Sequence, residues 1–424
     1  MVDLNKLDWR NDADHIRIDH SDWNDLVDYL LESGYRESKS SYKTTKRSFS
    51  LGVFKYDDDK QDKSLYLMNW EGELKHFYTF NDEEKNDDTH VGGGEALRAI
   101  NLRFLNQYKT SFTNAFGVWP RGKLDKYAKS KEKEYHYTLE QCNDALPPLI
   151  ECDEFQKDKH LKHIYKADVS SAYPYELTLP LPTMKGMKGP LKGAIEPEEG
   201  YVAYWIKSGH VIEGAEGGVD TRRLLTDPLY KDRHKFKEVT DKEITYLLPY
   251  SEYDLSDIIN DLYNNRKTNP FNKGIMNSFV GKLRSRKYYQ RAYMGHISAL
   301  VYARHIKYMC DLDYVLKANG NHPIMYATDS IMWQGSYCEV ADTEKYLGSF
   351  VLEYADFDAA YKGCGSYVLA DPETGTILMN KHQGVSAETW KRARIETIED
   401  FLKIKYEIKE FYNKNTHKFE LRRT

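Results

Sequence analysis

Several things are scarce in this sequence, and each scarcity removes a class of protein. Five cysteines in 424 residues, at 142, 152, 310, 338 and 364, are an odd number at no metal-like spacing. They read as thiols of a reducing compartment, with neither a disulfide framework nor a zinc site. No run of about 18 apolar residues occurs, and the opening MVDLNKLDWRND has no apolar h-region. The expectation is a chain with no transmembrane, secretory or targeting segment, working in the cytoplasm. There is no repeat at a spacing of roughly 20–50 residues and no low-complexity tract. Charge of one sign is not in excess: 61 basic against 66 acidic residues leave a net charge of -5. Any nucleic-acid surface must therefore be a local basic patch.

The chain is polar, with 30% charged and 40% apolar residues and a mean hydropathy of -0.73. Aromatics nevertheless reach 13%, with 34 tyrosines, which argues against disorder. At roughly 150 residues per domain the length allows two or three domains or one multi-lobed fold, with a core of useful size.

A helix is expected over Asp22–Ser33, capped by Ser21, with Trp23, Leu26, Val27, Leu30 and Leu31 as its apolar stripe and Gly34 past its end. Strand-like runs follow at Ser48–Phe54, Ser64–Trp70 and Leu74–Phe80, separated by acidic turns. Gly92–Gly94 precede a helix over Glu95–Tyr108, and Lys123–Lys133 reads as a linker or a solvated helix. Leu146-Pro-Pro-Leu149 marks a boundary. Beyond it, His163–Val169 looks like a strand ending on an acid, Leu177–Gly200 is loop-rich, and Tyr201–Ile206 is strand-like. Helices are expected over Asp254–Asn265 and Ile297–Ala318, and Ala387–Asn413 reads as mostly helical.

Three segments carry chemistry when taken together. Asp168-Val-Ser-Ser-Ala-Tyr-Pro174 is a carboxylate at a strand end, a tight turn and an aromatic. Lys273-Gly-Ile-Met-Asn-Ser-Phe-Val-Gly281 puts Lys273 and Asn277 on one helical face. Tyr326-Ala-Thr-Asp-Ser330 is an acid on a strand–turn–strand hairpin. Two carboxylates at strand ends can converge on a pair of hard cations, which take oxygen ligands together with substrate phosphates. Such ions activate an attacking hydroxyl and stabilise a leaving oxygen in an in-line phosphoryl displacement. Lys273 would supply charge to the transferring phosphates.

These segments resemble motifs A, B and C of the family B DNA polymerases, above all the protein-primed phage and plasmid branch. The family's motif A reads Asp-x-x-Ser-Leu-Tyr-Pro, matched at Asp168, Ser171, Tyr173 and Pro174. Its motif B, Lys-x-x-x-Asn-Ser-x-Tyr-Gly, is met by Lys273, Asn277, Ser278 and Gly281 with Val280 in the Tyr place. Its motif C, Tyr-x-Asp-Thr-Asp-Ser, keeps only Thr328-Asp329-Ser330, because Ala327 stands where the first carboxylate would be. The resemblance covers residues 160–385. It implies Asp168 and Asp329 as catalytic, metal-binding carboxylates with the Val169 carbonyl as a further ligand. Ser171 and Ala172 would offer amides to the triphosphate, Tyr173 would lie under the sugar, and Lys273 and Asn277 would form the nucleotide site. Arg266 or Lys267 would be a second phosphate cation. DNA contacts are expected from the basic, aromatic run of Lys282, Arg284, Arg286, Lys287, Tyr288, Tyr289 and Arg291, and from Tyr326, Tyr367 and Lys381. A 3′–5′ exonuclease is not expected: Asp82-Glu-Glu84 fits its first motif, and the other two are missing.

The resulting expectation is an α+β right-hand polymerase. Residues 1–150 form an N-terminal α+β region of unassigned role, 151–253 the first part of a palm, 254–295 fingers, 296–384 the second part of the palm, and 385–424 a short helical thumb. The implied activity is nucleotidyl transfer: DNA-directed addition of dNTPs to a primer 3′-hydroxyl with two Mg²⁺ ions (Mn²⁺ substituting), without proofreading, in replication of a phage or mobile element. The implied partners are primer–template DNA, dNTPs and a priming protein or other replication proteins. Two alternatives stay open: a primase-polymerase or terminal transferase that starts chains de novo, and a non-catalytic polymerase-derived nucleic-acid-binding protein.

Overall fold

The structure, a computed structural model, describes residues 15–17, 23–33, 36–37, 48–57, 60–68, 72–78, 91–117, 138–230, 235–269, 271–284, 294–382, 395–403, 408–413 and 418–423. It divides into two units that interleave in sequence. Residues 1–145, 173–221 and 235–303 form the first, and 146–172, 222–234 and 304–424 the second. It is a mixed α+β chain.

In the first unit, strands β1 (His15–Arg17), β2 (Arg36–Glu37), β3 (Ser48–Asp57), β4 (Lys60–Met68) and β5 (Leu74–Tyr78) form a sheet ordered β1-β5-β4-β3-β2. Helix α1 (Trp23–Glu32) covers it because its apolar residues recur every three to four positions. Trp23, Leu26 and Leu30 bury against Ile16, Leu65, Leu67 and Phe77. Next come α2 (Gly93–Tyr108), α3 (Phe112–Phe116) and α4 (Thr138–Asp144). Phe104 of α2 meets Phe112, Phe116 and Tyr253 in tilted and edge-on ring contacts, and Phe112 in turn meets Phe279. These geometries suit aromatic quadrupoles and join the helices into one core.

The second unit is built on a seven-stranded antiparallel sheet. Its strands are β6 (Ile150–Cys152), β7 (Leu161–Val169), β12 (His322–Ala327), β13 (Ser330–Gln334), β14 (Phe350–Gly363), β15 (Ser366–Ala370) and β16 (Ile377–His382). The order β16-β15-β14-β7-β13-β12-β6 puts β7 in the middle. Between β7 and β12 the chain supplies α5 (Ala172–Glu176) and the first unit's four-stranded sheet. That sheet contains β8 (Lys188–Lys192), β9 (Tyr201–Trp205), β10 (His210–Glu213) and β11 (Ile244–Pro249), ordered β10-β9-β11-β8. The helices α6 (Thr221–Leu224), α7 (Ser256–Asn264), α8 (Phe271–Arg284) and α9 (Gly295–Ala318) complete this stretch. Helix α9 stops in a reversed turn: Gly320 has φ +78°, its N–H donates to Lys317, and the Asn321 N–H reaches back to Leu316. Only glycine adopts that φ at no cost.

The end of the chain corrects one expectation. Among the described residues of 387–413, only α10 (Ile398–Lys403) is helical. Ile408–Asn413 is strand β17, paired antiparallel with β18 (Lys418–Arg423). Lys418-Phe-Glu-Leu-Arg422 alternates polar and apolar residues with period two, and Ile408, Phe411 and Tyr412 prefer strands. Mixed charge read as a helical face hid that pattern. Lys123–Lys133, Asp82–Glu84 and the basic residues of the expected thumb, Lys391, Arg392, Arg394 and Lys405, lie outside the described residues.

Candidate active site

Strand β7 brings Asp168 to the middle of the second unit's sheet. Because side chains alternate across a strand, Ile164, Lys166 and Asp168 share a face. The face runs from an apolar core, where Ile164 packs with Met332, Tyr361 and Tyr367, to a charged end. Lys166 is 4% exposed and pairs with Glu353 of β14. Asp168 itself stands opposite Ser330 on β13 and Val351 on β14.

Asp329 is delivered by the β12–β13 hairpin. The closing pair is Ala327 with Ser330, which leaves Thr328 and Asp329 as a two-residue turn. Thr328 has φ +64°, a strained position for a β-branched side chain. Three hydrogen bonds hold it there. The Thr328 N–H donates to the Leu149 carbonyl at 2.7 Å and the Val169 N–H donates to the Asp329 carbonyl at 2.7 Å. His305 of α9 bonds the Thr328 carbonyl through Nε2 at 3.0 Å. As the carbonyl only accepts, that nitrogen carries the proton. Burial holds His305 neutral, with its pKa lowered to about 4.

Sheet register thus sets two carboxylates from distant parts of the chain side by side. Their electrostatics are those of crowded acids. Burial, and then the Asp329 charge, push Asp168 up to about 7. Asp329 is also raised, by burial. Glu353 adds to the repulsion on both, while the ammonium of Lys166 relieves both. Lys345 relieves Asp168, and Lys381 relieves Asp329. Among the described residues no group of three or more His, Cys, Asp or Glu is gathered to hold a metal ion. Two half-buried carboxylates with raised proton affinity nevertheless suit a hard divalent cation, which binds one or two carboxylates and leaves its other positions to water and phosphate. The residues present therefore fit Mg²⁺.

The rest of the expected site divides between the units. Val169 is buried, and past it the Ser170 N–H donates to the Ser349 carbonyl at 2.8 Å. Ser171 turns the chain with φ +54°, and Ala172 opens α5. Lys381 is exposed on β16, its charge near Asp329. Tyr326 and Tyr367 are buried. The Tyr326 hydroxyl donates to Asp313, and Tyr367 packs with Met332 and Ile164. Both serve as core residues here, not as the DNA-facing rings expected of them.

The other residues belong to the first unit. The Tyr173 ring lies 4.6 Å from that of Tyr302. Tyr302 carries the Arg284 guanidinium at 4.3 Å, and Arg284 also donates to the Asn143 carbonyl at 2.8 Å. Arg284 is thus engaged within its own unit and not extended as a phosphate contact. Lys273 and Asn277 are exposed one turn apart on α8. Val280 is buried. Lys282 is half-buried; its stem passes so close to Gly93 that a Cβ there would lie 3.2 Å from it. Arg266 stacks on Tyr263 at 3.4 Å, and Lys267 is exposed. Arg286, Lys287, Tyr288, Tyr289 and Arg291 lie outside the described residues.

Sequence reasoning missed four residues of the second unit: Lys166, Glu353, Lys345 and His305. The period-two rule was enough to find Lys166, two positions before Asp168 on the same strand. His305 gives no signal, since it is one polar residue inside a helix.

No protein-family model matches the chain, and no curated protein matches it. Among solved structures it is similar to Phi29 DNA polymerase complexed with primer-template DNA, in a post-translocation binary complex. The TM-score is 0.49 at 13% identity, over 89% of this chain and 85% of that one. It is also similar to the ternary complex of Phi29 DNA polymerase with primer-template DNA and incoming nucleotide substrates, with a TM-score of 0.45 at 13% identity over the same shares. At such identities nothing about chemistry is transferred.

Proposed function

We propose that the chain is a DNA-directed DNA polymerase that adds dNTPs to a primer 3′-hydroxyl by divalent-metal-assisted phosphoryl transfer. The observation that carries this reading is the Asp168–Asp329 pair, two mutually repelling carboxylates at adjacent strand ends, in the motif order set out above. Asp168 and Asp329 would hold the ions, with the Val169 carbonyl as an added ligand. Mg²⁺ ions held there, or Mn²⁺ in their place, would lower the pKa of the attacking hydroxyl and offset charge on the transferring phosphates. Lys166, paired with Glu353, favours the ionised form of both acids and offsets part of their upward shift, and Lys345 and Lys381 add positive charge near them. His305 holds the hairpin that aims Asp329. Ser171, Ala172, Tyr173, Lys273, Asn277 and Arg266 or Lys267 keep the nucleotide-binding roles the motif resemblance gives them. The partners are primer–template DNA, dNTPs and a priming protein or other replication proteins, in the replication of a phage or mobile element within the host cytoplasm.

The test is extension of a labelled primer on a DNA template with dNTPs and Mg²⁺. Wild-type protein is expected to lengthen the primer, and Asp168→Asn to lose that activity while keeping the wild-type circular dichroism spectrum. A mutant that extends at the normal rate rejects the site. Products that appear as readily without a primer favour de novo synthesis. No turnover with either Mg²⁺ or Mn²⁺, alongside retained DNA binding, favours the non-catalytic reading.

A further inference from the structure

At the end of β14 away from Asp168 the second unit holds a pair of thiols. Cys152 ends strand β6 and is 9% exposed. Cys364 lies in the turn from β14 to β15 and is half-buried. Strands β6 and β14 are not neighbours in the sheet, yet both cysteines pack on one apolar cluster with Leu161, Ile164, Tyr361 and Tyr367. The segment after Cys152 is pinned to the strand that leads to Cys364. The Tyr361 hydroxyl donates to the Asp153 carbonyl at 2.6 Å, the Asp158 N–H donates to the Tyr361 carbonyl at 3.0 Å, and Lys362 pairs with Asp158 at 2.7 Å. Both backbones are thus fixed beside the thiols, just after Cys152 and just before Cys364, and each thiol is near enough to shift the other's proton affinity, while the Cys152 thiol also donates to Glu154 Oε1 at 3.6 Å.

We propose that Cys152 and Cys364 are a modification site that closes reversibly into a disulfide on reaction with small disulfides of the glutathione class. The proposal does not depend on the polymerase reading. The two sulfurs differ in reactivity. The neighbouring Cys364 thiol, aided by the Lys157 ammonium, holds Cys152 below the ordinary thiol range, against burial and the Glu154 charge. Cys364 is pushed up by the Cys152 thiol and by burial. Cys152 is therefore the attacking thiolate and Cys364 the resolving thiol.

In the first step the Cys152 thiolate attacks one sulfur of glutathione disulfide. That S–S bond breaks, one glutathione leaves as thiolate, and a mixed disulfide remains on Cys152. Cys364 then gives up its proton and its sulfur attacks the Cys152 sulfur. The second glutathione leaves and takes up a proton. Two protein thiols are oxidised and one glutathione disulfide is reduced to two thiols. The other cysteines are internal controls: Cys142, Cys310 and Cys338 are buried, and burial pushes the first two thiols up.

The full-length protein is equilibrated with glutathione and its disulfide at stepped ratios, quenched by alkylation and mapped by mass spectrometry. The expected result is loss of two of the five thiols, recovery of one peptide pair joined through Cys152 and Cys364, and reversal by dithiothreitol. In Cys364→Ser the adduct is expected to stop at a glutathione mixed disulfide on Cys152. In Cys152→Ser, Cys364 is expected to stay a thiol at the same ratios. Wild-type protein that keeps all five thiols overturns the proposal without recourse to any variant. So does a map in which Cys152 and Cys364 join no more often than either joins Cys142, Cys310 or Cys338.

Discussion

Two sets of polar side chains in this molecule are held in different ways. Asp168 stands on a central strand and Asp329 in the turn of the hairpin paired with it, the Val169 N–H bonded to the Asp329 carbonyl, and burial with like charge raises both toward neutrality. Lys273 and Asn277 stand on the exposed face of α8, where any long polar side chain is tolerated. The fold is strained to hold the first set and is indifferent to the second. Groups kept where they are electrostatically uncomfortable mark the places where a ligand completes the structure.

The sharpest way to break this comparison is to neutralise Asp329. Asp329→Asn is expected to cut primer extension by about three powers of ten or more, equivalent to about 4 kcal/mol of transition-state stabilisation. The melting temperature should hold or rise, because a repulsive charge has gone. Stopped-time extension assays alongside thermal melts check both halves. A loss of activity matched by a loss of folding would make Asp329 a structural residue.

The pH dependence of stability separates the acids from the histidines. Asp168 is raised from 3.8 to about 7 in the folded chain. Its contribution is therefore greatest at low pH and is lost as pH climbs through that window, by at most about 4 kcal/mol. His296 and His305 run the other way. Burial lowers each from 6.5 to about 4, so their stability is present above 6.5 and lost as pH falls. The difference between wild type and Asp168→Asn isolates the acid. Without divalent ions, the variant should gain on wild type steadily from pH 4 to 7 in denaturant titrations. Adding Mg²⁺ should narrow that gap at pH 8 more than at pH 5. A difference that is flat with pH removes the crowded-acid account.

A smaller effect is expected on the helix. Lys273→Ala should raise the dNTP KM roughly tenfold, the size of one lost charge-assisted hydrogen bond. Stability should change by no more than about 0.5 kcal/mol, since the side chain is exposed. Steady-state extension at varied dNTP with a thermal melt measures the two together. An unchanged KM would leave α8 without a nucleotide role.

What the sequence disclosed follows the same division. A strand ending on Asp168 and a hairpin carrying Asp329 were legible, because period-two alternation and a two-residue turn are local patterns. The face of α8 was legible from the four-residue spacing of Lys273 and Asn277. Long-range pairing was not: Glu353 reaches Lys166 from another strand, His305 reaches Thr328 from a helix, and Cys364 packs on the same apolar cluster as Cys152. None of these leaves a trace in spacing. The C-terminal strands were misread because charge was weighed above alternation.

Tyr326 gives the finest test of what belongs to the site. It lies on the strand just before the hairpin turn, and the motif resemblance led to the expectation of a DNA contact there. In the fold its hydroxyl donates to Asp313, and burial beside that carboxylate raises its pKa. Tyr326→Phe keeps the packed ring and removes one hydrogen bond. Asp313 retains Lys317 at 2.7 Å, so no carboxylate is left unpaired, and the expected cost is about 1 kcal/mol in stability. Affinity for primer–template should be unchanged, as should its dependence on salt, which counts phosphate contacts. Fluorescence anisotropy at two salt concentrations, beside a denaturant melt, reads both. A tenfold weaker complex at unchanged stability would mean that the hydroxyl serves DNA after all, and that the line between the sheet's core and its working end has been drawn one residue too late.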